Sequence, residues 1–365
     1  MEYYFKADGL CVGYQQPLIK NITINLPKGE ILTLIGPNGA GKSTVLKSIA
    51  RQLRLISGTV FIDRQNLEKM SSVQLSQKMA VVLTERIKTE MMTCEDVVAT
   101  GRYPYTGRFG ILSREDFRIV HEAMEAVHIE DMKDKDFLQM SDGQKQRAML
   151  ARAICQEPEI IILDEPTSFL DVKYKLEFLS ILQEMCRKKG LTVILSLHEL
   201  ELAARISDKI LCINGEYVER FGTPEEIFTD GHITELFGIT MGSFDEGNTS
   251  MELEAAKGYP ELFVIAGNGS GRAVYRKLQR KGIAFMTGIL FQNDLDYPTA
   301  KALAAEVVET ESFEPIAESV LETAKQRLCS CNKAICCRKH FGSFEAANKA
   351  LFEYAHDKGI LIEEY

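Results

Sequence analysis

Two stretches of this chain combine residue types and spacing that could do phosphate chemistry. The first is Gly36-Pro37-Asn38-Gly39-Ala40-Gly41-Lys42-Ser43-Thr44, which fills the Gly-x4-Gly-Lys-Ser pattern of a phosphate-binding loop. Glycines let backbone N–H groups turn inward around phosphates, and a helix starting at the loop's end adds positive potential. Lys42 is expected to reach the β and γ phosphates of a nucleotide, and the Ser43 hydroxyl to ligate Mg²⁺. The second is Ile160-Ile-Ile-Leu-Asp164-Glu165-Pro166, an apolar run ending in two carboxylates. Asp164 is expected to hold Mg²⁺, and Glu165, at the strand tip, to orient or deprotonate an attacking water. An acidic pair alone would read as a solvated strand end. Beside the loop it predicts hydrolysis of a nucleoside triphosphate. An Asn-Lys-x-Asp motif for reading guanine is missing, and nothing suggests the separate acceptor site of a kinase.

Strands must present these groups and helices must pack behind them. Leu10 to Leu26 reads as short strands, with turns at Gly13 and at Pro27-Lys28-Gly29. Glu30–Ile35 reads as a buried strand, and a helix is expected from about Lys42 to Leu53. Residues 66–155 read as mostly helical, with amphipathic stretches near 94–101, 113–128 and 142–155. Apolar strands follow at 160–163 and 192–196. This alternation implies an α/β fold on a mainly parallel sheet covered on both faces. The pattern weakens at Gly242, Gly247 and Gly258, so residues 241–258 are expected to be a linker between domains spanning 1–240 and 259–365. In the second domain, strands near 262–266, 283–290, 333–337 and 360–363 with helices between them predict a small Rossmann-like α/β unit.

Met140-Ser141-Asp142-Gly143-Gln144-Lys145-Gln146-Arg147 resembles the signature sequence of ATP-binding cassette (ABC) ATPases, usually Leu-Ser-Gly-Gly-Gln. It precedes Pro158 at the expected start of a helix. By itself it would read as a serine helix cap. The resemblance covers about residues 2–240. It implies a P-loop NTPase (RecA-like) ABC cassette with a helical subdomain at about 86–155, using ATP and Mg²⁺. It further implies that Ser141, Gly143 and Gln144 grip the γ-phosphate of ATP held by a second copy in a head-to-tail dimer. Tyr14 matches the aromatic that stacks on adenine, and Asp171 in Ser168-Phe-Leu-Asp171 matches the loop that crosses to the partner. His198 matches the switch histidine at the γ-phosphate and joins Glu165 and Lys42 as the catalytic set. The chain departs from the pattern at Met140 and Asp142, and more seriously where the family has a glutamine that links Mg²⁺ to the permease contact. Thr84 stands at that place with Glu85 next, and one of them is expected to take over part of its metal role.

Val97-Val-Ala-Thr-Gly101-Arg102-Tyr103-Pro104-Tyr105, the following Thr-Gly-Arg-Phe-Gly and His198-Glu-Leu-Glu-Leu-Ala-Ala-Arg resemble the importer branch for iron–siderophore, haem and cobalamin complexes. That branch implies a separate ATPase chain docked beneath a polytopic permease, and through it a substrate-binding protein, peripheral on the cytoplasmic side of the inner membrane. Arg102–Phe109 would then be a docking surface rather than a plain surface loop. The alternative is a soluble ABC-class ATPase without a permease, carrying a ligand-sensing C-terminal domain. Composition agrees with a peripheral chain. Lys and Arg number 43 against 52 Asp and Glu, a net charge of −9 without a long basic run, which argues against a general nucleic-acid binder. No apolar stretch reaches the roughly 18 residues of a spanning helix. The first residues lack a signal-peptide pattern. Nine cysteines, an odd number, are expected to be reduced thiols.

The C-terminal region leaves alternatives open. Gly267-Asn-Gly269-Ser270-Gly271 is either a phosphate cradle or a structural turn; Arg272 stands where a dinucleotide fingerprint has its third glycine. Asp294 and Asp296 either meet a ribose or are polar loop residues. Cys329, Cys331, Cys336 and Cys337, with His340 nearby, invite a metal reading, but a strand at 334–337 would send Cys336 and Cys337 to opposite faces. A regulatory or assembly role is the expectation for this domain.

Overall fold

The computed structural model describes residues 3–83, 91–107, 109–229 and 231–363. Thr84 and Glu85 lie outside the described residues. The chain divides into two compact units, Met1–Phe237 and Gly238–Tyr365.

The first unit is built on one sheet with strands β1 (Phe5–Gly13), β2 (Pro17–Leu26), β3 (Ile31–Ile35), β4 (Ser57–Ile62), β5 (Gln65–Asn66), β6 (Met79–Val82), β7 (Ile160–Leu163), β8 (Thr192–Ser196), β9 (Lys209–Asn214) and β10 (Tyr217–Gly222). Their order is β5-β4-β1-β2-β10-β9-β3-β8-β7-β6. The stretch from β9 to β6 is parallel throughout, whereas β1, β2, β4 and β5 form an antiparallel wing. Helices α1 (Lys42–Ile49), α2 (Ser72–Lys78), α3 (Cys94–Ala99), α4 (Arg114–Ala126), α5 (Asp142–Cys155), α6 (Val172–Lys189), α7 (Leu200–Ile206), α8 (Pro224–Ile227) and α9 (His232–Leu236) complete this unit. Every residue of β3, β7 and β8 is buried, as strands covered on both faces must be. Leu32 and Leu34 share one core with Val45, Leu46 and Ile49 of α1, which seats the helix behind its loop.

Three expectations need correction here. α1 is shorter than predicted because Arg51, at φ +56°, turns the chain out of the helix. The 66–155 region is not helical throughout: it opens on the end of β5 and holds the strand β6 between α2 and α3. The expected linker at 241–258 holds a hairpin, β11 (Ser243–Asp245) with β12 (Ser250–Glu252).

The second unit carries a parallel sheet of β13 (Leu262–Ile265), β14 (Phe285–Phe291), β15 (Glu306–Thr310) and β16 (Lys333–Cys336), ordered β15-β14-β13-β16. Its helices are α10 (Arg272–Arg280), α11 (Tyr297–Leu303), α12 (Glu318–Cys329) and α13 (Ala346–Asp357). Along β13, Leu262 and Val264 enter one core with Tyr275 and Phe285, while Phe263 and Ile265 enter the other with Leu328 and Leu351. This alternation fixes an α/β sandwich. The predicted strand at 360–363 is reduced to a single bridge between Leu361 and Ala334, and β15 was not anticipated. No helix among the described residues is long and apolar enough to cross a membrane.

Candidate nucleotide site

The phosphate-binding loop joins β3 to α1, so Gly36 to Thr44 sit at the carboxyl end of a fully buried central strand. Gly36 has φ +148°, and a Cβ there would meet the Ile213 carbonyl oxygen at 2.2 Å. Gly41, at φ +97°, caps α1 without any side-chain hydrogen bond, so no side chain competes for the first-turn N–H groups. Backbone donors at a helix start are what an anion needs. A Cβ on Gly41 would press on Ile19 and Leu18 of β2, which brings the β1–β2 turn bearing the exposed Tyr14 beside the loop. Asn38 and Gly39 are exposed at the loop's crest. Lys42 is buried and donates to the carbonyls of Gly36 at 2.8 Å and Pro37 at 3.1 Å. Burial holds its ammonium below the ordinary lysine range, and the Glu165 and Asp164 carboxylates oppose that shift.

β7 and β8 are paired neighbours, and their tips bring the acidic pair to His198. The buried Ser196 hydroxyl donates to Asp164 Oδ1 at 2.7 Å and accepts from the Glu165 N–H at 2.9 Å. Glu165 itself takes φ +48°, and its Oε1 lies 2.6 Å from His198 Nε2. Ser168 Oγ approaches the other Glu165 oxygen at 3.4 Å. These contacts assemble Asp164, Glu165 and His198 from two strands. Ser196 was missed by sequence reasoning; a hydroxyl closing an apolar run two residues before His198 was its only signal.

Ser141 and Gln144 form a capping box at the start of α5. Gln144 N–H donates to Ser141 Oγ at 3.3 Å, and Ser141 N–H donates to Gln144 Oε1 at 3.1 Å. Ser141 is exposed and Gly143 half-buried. Asp171 caps α6 through the Tyr174 N–H at 3.0 Å and is also exposed. Arg102 does not belong to an exposed docking loop. It is buried, donating to Asp116 Oδ1 at 2.9 Å, to Glu157 at 2.8 Å and to the Cys155 carbonyl. Tyr103 and Phe109 of that segment, and Ile111 just beyond it, are 62%, 88% and 76% exposed.

In the second unit the glycine turn is already occupied. Buried Asp296 accepts from the N–H groups of Gly267, Gly271 and Arg272 at 2.9 to 3.0 Å. Asp294 accepts from the Asn268 and Asp296 N–H groups. Carboxylates thus take the donors that a phosphate would need, which favours the structural turn over the cradle and the loop role of Asp294 and Asp296 over a ribose contact. Cys336 and Cys337 face different cores, Cys329 meets the Tyr354 hydroxyl at 3.0 Å, and Cys331 is buried against the Pro260 carbonyl. Among the described residues no group of three or more His, Cys, Asp or Glu is placed to hold a metal.

A phosphate-binding loop at a parallel strand's carboxyl end, facing an acidic pair on a neighbouring strand tip, defines a P-loop nucleotide-hydrolysing fold. The sequence pattern described as ABC transporter matches residues 19–168, and that of the MJ0874 family matches residues 285–364. The ABC transporter ATP-binding protein MJ0873 of Methanocaldococcus jannaschii is 41% identical over 290 residues, covering 78% of this chain and 99% of its own length. That span exceeds the first unit, so the similarity continues past Phe237. The iron(3+)-hydroxamate import ATP-binding protein FhuC of Bacillus subtilis is 34% identical over 64% of this chain and 87% of its own. The ferric enterobactin transport ATP-binding protein FepC of Escherichia coli is 31% identical over 66% and 89%. Among solved structures, an inward-facing ABC transporter described as of metal-chelate type superposes with a TM-score of 0.59 at 26% identity, over 69% of this chain and 96% of that one. A post-hydrolysis dimer of the cassette MJ0796 bound to ADP and Pi gives 0.53 at 26% identity, over 60% and 98%. The chain belongs to the ABC transporter ATP-binding family. It is an ATP-binding, ATP-hydrolysing cassette of that family.

Proposed function

We propose that the chain powers uptake of an iron complex (siderophore or haem) or of cobalamin, as the peripheral ATPase of an importer on the cytoplasmic side of the membrane. The observation that carries this reading is the similarity to the import proteins for iron hydroxamate and ferric enterobactin across the whole cassette. Tyr103, Phe109 and Ile111, exposed in the segment between α3 and α4, suit an apolar contact with a polytopic permease, which in turn would receive cargo from a substrate-binding protein. Two copies would face head to tail, with ATP between the loop Gly36–Thr44 of one and Ser141, Gly143 and Gln144 of the other, and Asp171 crossing at the seam. Tyr14 would stack on adenine.

Within each site the loop N–H groups and Lys42 would bind the phosphates. Glu165 would orient the attacking water and take its proton, and His198 would contact the γ-phosphate while steadying Glu165. Asp164, buried and oriented by Ser196, and Ser43 on the first turn of α1 would supply oxygen donors of the kind Mg²⁺ takes, and the ion would neutralise phosphate charge. Thr84 and Glu85 remain our assignment for the missing glutamine's role. The second unit would act in regulation or assembly. Uptake of siderophore, haem and cobalamin measured in a strain lacking this chain tests the reading; unchanged uptake of all three, with no permease recovered on purification in detergent, would overturn it.

A further inference from the structure

Two neighbouring residues on the first turn of α6 reach in different directions. The Tyr174 ring packs under the Arg147 guanidinium, 4.7 Å from its centre. Arg147 is buried on α5, one turn after Gln144, and is held by the His128 carbonyl at 3.1 Å. The next residue, Lys175, bonds the Glu199 carboxylate through its ammonium, and the other Glu199 oxygen accepts from the Thr167 hydroxyl at 3.0 Å. Glu199 directly follows His198, and buried Thr167 lies two residues beyond Glu165. Both partners of the His198–Glu165 contact are therefore flanked by a residue of one clamp. Glu199 occupies the cap position of α7, yet its carboxylate makes no capping bond to that helix.

We infer that Glu199, held by Lys175 and Thr167, is a positioning residue for His198, and that the first turn of α6 links this clamp to the signature helix α5. The inference rests on the roles proposed above for Glu165 and His198. Its chemistry is short-range. Glu199 fixes the backbone at 198–199 against Thr167, so the imidazole can meet Glu165 in only one way. Tyr174 and Lys175 are fixed to one helical turn, so a shift of α5 on seating the partner's nucleotide would be felt at His198.

The test uses the full-length chain with Glu199→Gln, Lys175→Met and the exchanged pair Lys175→Glu/Glu199→Lys, alongside Glu165→Gln. The expected result is a fall in kcat of at least about tenfold in each single variant, as misplacing a reacting group costs. KM for ATP should stay within about twofold, and the exchanged pair should regain part of the lost kcat. A wild-type kcat in both single variants, or losses that simply follow a lowered melting temperature without rescue by the exchange, overturns the clamp. Glu165→Gln separates the two readings. If it is inactive while Glu199→Gln is wild-type, only the clamp fails; if it hydrolyses ATP normally, the catalytic assignment fails and takes the clamp with it.

Discussion

Glu165 holds a left-handed backbone at φ +48°, a conformation that costs a non-glycine residue about 1–2 kcal/mol. Its N–H bond to Ser196 and its contact with His198 keep it there, so the strain is spent on aiming one carboxylate. Replacing that carboxylate by an amide keeps shape and removes basicity. Glu165→Gln is expected to bind ATP normally and to turn over roughly 10²–10⁴-fold more slowly. Size-exclusion chromatography with ATP should then show a trapped dimer, and robust hydrolysis would discard Glu165 as the base. Ser196→Ala would remove the hydroxyl that the Glu165 N–H and Asp164 Oδ1 share, at about 1–3 kcal/mol. Urea unfolding of the variant measures that loss.

At the scale of elements, the helical region between β6 and β7 is organised around a buried ion pair. Arg102 joins α4, through Asp116, to the end of α5, through the Cys155 carbonyl and Glu157. Arg102→Met would take the guanidinium from Asp116, leaving the carboxylate to the Ser113 hydroxyl and N–H, and should cost about 1–3 kcal/mol in thermal or urea unfolding. Asp116 also carries a pH signature. The Ser113 hydroxyl holds its carboxyl below the usual range; burial opposes this, and the Ser113 N–H and Arg102 reinforce it. Its folded value is depressed, so its contribution is present above the unfolded value near 3.9 and is lost as pH falls through the lower folded one. Asp116→Asn should flatten that acid limb in melting curves taken from neutral pH downward. Arg102 also shows what the sequence could not reveal: an arginine amid tyrosines and glycines reads as surface until its partners, 14 and 55 residues away, are in place. β3, β7 and β8 were legible because strands buried on both faces are written as apolar runs. β10 and β15 were not, since they are mostly half-covered or exposed and mix charges with apolar residues. The phosphate loop and acidic pair needed only local spacing, whereas the Lys175–Glu199 clamp depends on how α6 and α7 pack.

The whole molecule carries two α/β units with similar vocabulary, each with a strand, a glycine-rich turn and a helix in sequence. They diverge in what fills the turn. In the first, donors on α1 are left for an outside anion; in the second, Asp294 and Asp296 consume them internally. Asp296→Ala should therefore loosen the second unit, read as faster amide hydrogen exchange across 262–303, without changing ATP affinity at Lys42. The filled turn also has a consequence for counting. Equilibrium titration of the full-length chain should saturate at one nucleotide per polypeptide, so a dimer carries two and no more. Inhibition by excess ADP or ATP can then be analysed as competition at a single class of site.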